Sequence, residues 1–329
     1  MYMLQQQQTD LLQQQQQLDE SVDLDSHDND DELPVEKDSD DYEVFQPEPP
    51  SELCRFLLRM SLSALMHPFE YAKVLMQLGH EPLPATVGKN LLGKPTIYLP
   101  SFYQYLGYMK RIDGMLGLYR GLAARVLSCA SSSFFAERFM NCLLPYRAES
   151  EKGRTLGEFA WNLLRNGLIV STGVLVSHPF NVISVRQMAS VVGGELAYTS
   201  FKGSVQEIFK QSGLRGFYVG FVPHLVYDLA VLVLTSSVDG ICQHWLPLKP
   251  EQRQYNSALL QFAAVLLFYP LQVVSTCMCC SGSGMAAGAP PCMPIYAKWS
   301  DCLMDLLARG QHNRGAFIYR RTLPKMYMS

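Results

Sequence analysis

Apolar residues along this chain gather into long blocks separated by short polar interruptions. From Gln254 to Ala297 there is no Asp, Glu, Lys or Arg, and the first part, Tyr255 to Cys280, is long enough to cross a hydrocarbon layer of about 30 Å as a helix. A second charge-free run covers Asn166 to Val185, and a third, Gly216 to Val238, is interrupted only by Asp228. Two further stretches are apolar but charged: Glu52 to Leu78 holds Arg55, Arg59, Glu70 and Lys73, and Leu118 to Leu144 holds Arg125, Glu137 and Arg138. Charges within a span face protein or water rather than lipid. The pattern therefore predicts five membrane helices and an all-α membrane protein.

The blocks repeat. His67-Pro68-Phe69, His178-Pro179-Phe180 and Tyr269-Pro270-Leu271 each set a proline near the middle of an apolar helix. A proline costs about 3 kcal/mol inside a soluble helix, but in a membrane bundle neighbouring groups can satisfy the carbonyl it frees, so each is expected to act as a kink. After each comes a loop, a short stretch with apolar residues at helical spacing, and then Leu118-Tyr119-Arg120-Gly121, Phe217-Tyr218-Val219-Gly220 or Ile318-Tyr319-Arg320-Arg321, with tyrosines 99 and 101 residues apart. The intervening stretches predict surface helices, burying Phe102, Tyr105, Leu106 and Met109, then Phe201, Val205, Ile208 and Phe209, then Trp299, Leu303, Leu306 and Leu307. Three pseudo-repeats follow, at about residues 51–148, 155–248 and 254–329.

Charge changes the picture at the N-terminus. Residues 1–50 hold fifteen Asp and Glu against Lys37 alone, so the formal net charge of -3 hides a net -14 there and +11 in the remainder. With its glutamine runs, Gln5 to Gln8 and Gln13 to Gln17, this segment is too polar to bury a core and is read as a disordered, solvated tail. A cleavable mitochondrial presequence would be rich in Arg and poor in acid, whereas no Arg precedes Arg55, so targeting information is expected to be internal. The nine cysteines are expected to be mostly reduced, because a chain this long builds a core without a disulfide framework. Cys277, Cys279 and Cys280 lie in an apolar run with no His or carboxylate nearby, which favours buried thiols over a metal site.

Pro68-Phe69-Glu70-Tyr71-Ala72-Lys73, with Gln77 beyond it, resembles the mitochondrial carrier signature of proline, acid and base, and looser echoes stand at Pro179 and Pro270. Lys73-Val74-Leu75-Met76-Gln77, Glu81-Pro82-Leu83-Pro84, Ser177-His178-Pro179-Phe180, Pro290-Pro291 and Pro294-Ile295-Tyr296 through Trp299 and Asp301-Cys302 resemble the mitochondrial carrier homologue family more closely. The likeness spans roughly residues 51–326. It implies a mitochondrial carrier fold in the outer mitochondrial membrane, and an insertase for α-helical outer-membrane proteins that is also linked to docking of a pro-apoptotic BH3 protein.

Mapped onto this family plan, the residues speak against solute transport. Carriers close one end of the pore with three ion pairs between successive odd helices. The same positions here set Glu70 opposite Ser184, Asn181 opposite Ser275 and Gln272 opposite Lys73, so no ionic pair is expected. Only nine residues follow Arg320, and at 1.5 Å each they reach about 14 Å, half the hydrocarbon thickness. The sixth transmembrane helix is therefore expected to be missing, which would leave the interior as a slot open to lipid.

Lys73, Arg186, Asp228, Tyr269, Asn181 and Gln272 are the polar groups expected along that slot. A carboxylate at the middle of a span costs at least ~2.5 kcal/mol on insertion scales, so Asp228 is either functional or paired with a base such as Arg125 or Arg186. Lys73 either lines the slot or snorkels. A lateral polar groove would lower the barrier for dragging a polar terminus through hydrocarbon, without nucleotide, metal or cofactor. The expected partners are membrane lipids, hydrophobic α-helical clients and a BH3 protein, with no nucleic acid. A receptor or scaffold whose tail recruits a soluble partner, a lipid scramblase and a residual solute carrier are the rival readings. No enzyme constellation emerges: His67 and His178 are conceivable as a metal pair, but equivalent positions in repeats need not converge.

Overall fold

The computed structural model describes residues 52–89, 93, 95–143, 156–245, 250–316 and 321–322. The acidic tail, Ile318, Tyr319, Arg320 and the side chains of Glu137 and Arg138 lie outside that description, as does the segment after Thr322. The helices, in chain order, are α1 (Glu52–Leu78), α2 (Phe102–Gly117), α3 (Leu122–Leu143), α4 (Leu156–Ala189), α5 (Phe201–Ser212), α6 (Phe221–Trp245), α7 (Pro250–Cys280) and α8 (Trp299–Ala308). The chain divides at Arg59: Met1–Arg59 is one unit, represented here by the start of α1, and Met60–Ser329 is the other.

Among the described residues, α4, α6 and α7 are the helices long and apolar enough to cross a membrane. The apolar stretch 201–242 is cut in two by a 3-10 turn over Gly213–Tyr218 and by Gly220 at φ +78°, so α6 starts at Phe221 rather than at Gly216. α1 and α3 coincide with the two charged candidates; their 27 and 22 residues reach about 40 and 33 Å. Leu164, Leu168 and Leu175 on α4 and Leu259, Phe262 and Leu267 on α7 are exposed, as expected of faces that meet acyl chains.

Pro68, Pro179 and Pro270 each lie inside a continuous helix. The residue before each proline ties its helix to the turn that follows the next surface stretch. His67 Nε2 lies 2.9 Å from the Arg120 carbonyl oxygen, His178 Nε2 lies 3.0 Å from that of Val219, and the Tyr269 hydroxyl donates to that of Arg314 at 2.9 Å. The two imidazoles also stack alike, on Tyr119 and Tyr218, with centroids 6.3 Å apart in both cases. The Tyr218 hydroxyl reaches the Leu175 carbonyl at 3.5 Å, the oxygen that Pro179 leaves without its helical donor.

One buried cluster gathers the C-terminal halves of α1, α4 and α7, represented by Leu75, Val182 and Val273, with Tyr105 of α2, Ile208 of α5 and Leu306 of α8 packed round them. α2 buries Phe102, Tyr105 and Met109, as its spacing predicts. On α5 the inward residues are Ser204 and Ile208, and Phe209 is exposed. On α8 they are Cys302 and Leu306, with Leu307 exposed. Both departures rotate the expected face slightly, because small Ser and Cys side chains let these helices pack closely on α4 and α7.

An all-α reading needs one correction. The loop after α1 contains β1 (Thr86–Lys89) and β2 (Pro95–Leu99), and β3 (Arg321–Thr322) joins them in a three-stranded antiparallel sheet ordered β1-β2-β3. Tyr98 pairs with Thr86 on one side and Thr322 on the other. Arg321 is buried, forms an ion pair with Glu81 and donates to the Pro100 carbonyl at 3.4 Å, so the end of the described chain is fastened to the loop after the first long helix.

Gly121 and Gly220 combine a left-handed backbone with close backbone contacts across the bundle. Their φ values are +85° and +78°, and a Cβ at each would stand 2.9 Å from the Ser184 carbonyl oxygen and 2.8 Å from that of Ser275. Gly213, at φ +61°, has open space around its would-be Cβ. Gly121→Ala and Gly220→Ala are therefore expected to destabilise the purified protein by about 2 kcal/mol or more, and Gly213→Ala by about 1 kcal/mol. Thermal unfolding in detergent micelles checks that order.

Candidate functional site

Polar side chains on the long helices meet in three groups. In the first, Lys73 Nζ of α1 lies 3.5 Å from Gln272 Oε1 of α7 and 5.2 Å from the centre of the Tyr269 ring. Tyr269 accepts a hydrogen bond from Gln77 Nε2 at 2.9 Å, and Thr276 Oγ1 donates to Gln77 Oε1 at 3.0 Å. The spacing explains the convergence: Lys73 and Gln77 are one turn apart on α1, as Gln272 and Thr276 are on α7. The ammonium thus rests on a neutral oxygen and a π face, both weaker partners than a carboxylate.

In the second group, Arg125 of α3 forms an ion pair with Glu70 of α1 and donates from Nη1 to Asn181 Oδ1 of α4 at 2.9 Å. Glu70 thus stands with Arg125 of α3 rather than with Ser184, an ionic contact outside the three pairings of the carrier plan, of which Lys73 and Gln272 do meet. Ser184 Oγ instead donates to the Gly121 carbonyl at 3.1 Å, and Ser275 Oγ to the Gly220 carbonyl at 3.0 Å. A serine is short enough to reach the close-packed glycine turn.

The third group surrounds Asp228 of α6. Its Oδ2 lies 3.6 Å from His224 Nε2, one turn earlier, and His224 Nδ1 lies 3.1 Å from His178 Nδ1 of α4. Asp228 is thus associated with an imidazole, and not with Arg125 or Arg186. His178 meets His224 rather than His67. His224 carries no motif of its own, but it stands four residues after Gly220 as Arg125 stands four after Gly121, and that offset is the signal by which both could have been found.

Arg186 falls outside these groups. It is 1% exposed and donates from Nε to the Cys279 carbonyl at 2.9 Å, joining α4 to α7 within the dry core. Beside it, burial raises the Tyr198 phenol above its ordinary pKa, and the guanidinium opposes that rise. Arg120 makes a comparable link between α2 and α4, through an ion pair with Asp113 at 2.6 Å and a bond to Ser190 Oγ at 3.1 Å.

A cavity of about 400 Å³ opens at the core end, between Gly79, Leu99, Met293, Leu306, Arg314 and Arg321. The Tyr296 hydroxyl donates to Asp305 Oδ2 at 2.6 Å on its wall, and burial with that carboxylate raises the phenol's pKa. None of Lys73, Asn181, Arg186, Asp228, Tyr269 or Gln272 lines it. Among the described residues no group of three or more His, Cys, Asp or Glu is arranged to hold a metal ion.

A family model described as mitochondrial carrier protein matches residues 159–249, which run from α4 through α6. Mitochondrial carrier homolog 2 of Homo sapiens is 32% identical over 286 residues, covering 82% of this chain and 93% of that protein. Mitochondrial carrier homolog 1 of Mus musculus is 32% identical over 301 residues, 83% of this chain and 77% of its own. The mitochondrial carnitine/acylcarnitine carrier protein of Homo sapiens is 26% identical over 191 residues, 56% of this chain and 59% of its own. Because the homolog likeness covers more than four fifths of the chain at 32% identity, whereas the carrier likeness covers 56% of it at 26%, this protein belongs to the mitochondrial carrier homologue family.

Proposed function

We propose that the chain is a passive insertase of the outer mitochondrial membrane. It would pass the polar ends of tail-anchored and other α-helical membrane proteins along a lateral groove between its helices. In this reading the five long helices are the staves of a three-repeat bundle without its sixth, and the pairing of Arg321–Thr322 with β2 as a strand fits a third repeat that ends early.

The observation that carries the reading is the way the charges on the long helices are held. Lys73 rests on Gln272 and Tyr269, Asp228 rests on His224, and Glu70 shares Arg125 with Asn181. Each charge entering hydrocarbon costs a few kcal/mol. Fixed polar groups at the same depth offset part of that cost for a client's terminus, and groups held by neutral partners can exchange those partners for a client at little penalty. The step makes and breaks no covalent bond, so it calls for no catalytic residue, nucleotide or cofactor; its end state, an apolar helix in lipid, is already downhill.

The signs of the charges give a directional test. Asp228→Arg is expected to slow insertion of clients with basic termini by about tenfold, equivalent to about 1.4 kcal/mol, and to speed those with acidic termini. Lys73→Glu should do the reverse. Both are measured by liposome insertion assays with purified variants that retain the parent's melting temperature; equal rates for both client types would sink the reading. Removal of residues 1–50 is expected to leave insertion intact, and sealed proteoliposomes should take up no carrier solute.

A further inference from the structure

His178 and His224 form a second arrangement that insertion does not use. The Val219 carbonyl oxygen can only accept, so His178 Nε2, 3.0 Å away, carries the proton and leaves Nδ1 bare. His224 Nδ1 stands 3.1 Å from that bare nitrogen, and its Nε2 lies 3.6 Å from Asp228 Oδ2. The gap between the two Nδ1 atoms is one that a shared proton or a bound cation fills.

His67 supplies an internal comparison. It makes the same carbonyl contact and the same aromatic stack, yet its Nδ1 is buried without a partner. The shared contact therefore serves to join helix and turn, and that role does not require a second imidazole. What the second half of the bundle adds is His224 alone.

We propose that His178 Nδ1 and His224 Nδ1 bind a transition-metal ion of the imidazole-seeking class, with Zn²⁺ as the type case. Metal–nitrogen bonds of 2.0–2.1 Å at angles of roughly 90–110° separate two ligand nitrogens by about 2.9–3.4 Å, and the observed 3.1 Å falls inside that range. The outer nitrogen of His178 is anchored by a backbone carbonyl, as that of a metal-bound histidine usually is, and the Asp228 carboxylate stands 3.6 Å from that of His224. His224 is 24% exposed at its side chain, so an ion can reach the pair. With only two protein nitrogens, the remaining coordination positions belong to water or to a donor from a bound partner.

The test titrates Zn²⁺ into full-length protein without a histidine tag, in detergent micelles, against a fluorescent chelator, with Co²⁺ absorption reporting nitrogen ligation. The expected result is one equivalent bound, lost in His178→Gln and in His224→Gln, weakened about 10- to 100-fold in Asp228→Asn, and unchanged in His67→Gln. His224→Gln keeps the His178–Val219 contact, so a retained melting temperature in that variant separates loss of the ion from loss of the fold. Absence of saturable binding, or binding that His224→Gln leaves intact, overturns the proposal. So does an imidazole NMR spectrum that shows a shared proton and no response to Zn²⁺.

Discussion

Helices surrounded by hydrocarbon gain little from pressing apolar faces together, because lipid tails are as apolar as Leu. Several of the bonds that bridge this bundle are accordingly made by polar side chains reaching backbone oxygens. His67 and His178 reach the carbonyls of Arg120 and Val219, Tyr269 reaches that of Arg314, and Ser184 and Ser275 reach those of Gly121 and Gly220. The Gly121 and Gly220 carbonyls also accept from the Arg125 and His224 amides, and a buried carbonyl left with no bond at all would cost several kcal/mol. This requirement places the signature proline, the turn and the next helix in register.

The register then decides which side chains meet. Four residues beyond Gly121 lies Arg125, and four beyond Gly220 lies His224. At the first of these positions a base bridges Glu70 and Asn181; at the second an imidazole joins His178 and associates with Asp228. One backbone frame therefore carries two different polar clusters. The third, around Lys73 and Gln272, is built between the first and last odd helices. Between the long helices the ion pair of Glu70 with Arg125 stands beside hydrogen bonds and shared partners.

Much of this was legible in the residues. Blocks without charge marked α4, α6 and α7, and the charged pair marked α1 and α3, because hydrophobic length is a local property. The sheet was not legible: β3 contributes two residues from a segment more than 200 positions beyond its partner, and two residues carry no period. Asp228 stood out as the carboxylate in an apolar run, but its neighbour His224 did not, since an uncharged imidazole leaves hydropathy almost unchanged. Arg186 was visible as a charge, whereas its burial beside Cys279 depended on how α4 and α7 pack.

By itself the sequence determined which stretches are long and apolar enough to cross a membrane, and which residues bring charge into an apolar surround. Those outcomes follow from transfer free energies and backbone chemistry that act residue by residue. Only the tertiary structure decided that Glu70 meets Arg125, that Ser184 and Ser275 cap glycine turns, and that His178 and His224 stand 3.1 Å apart. Partner choice depends on the rotation and approach of whole helices, which the packed bundle sets collectively and no local stretch of residues specifies.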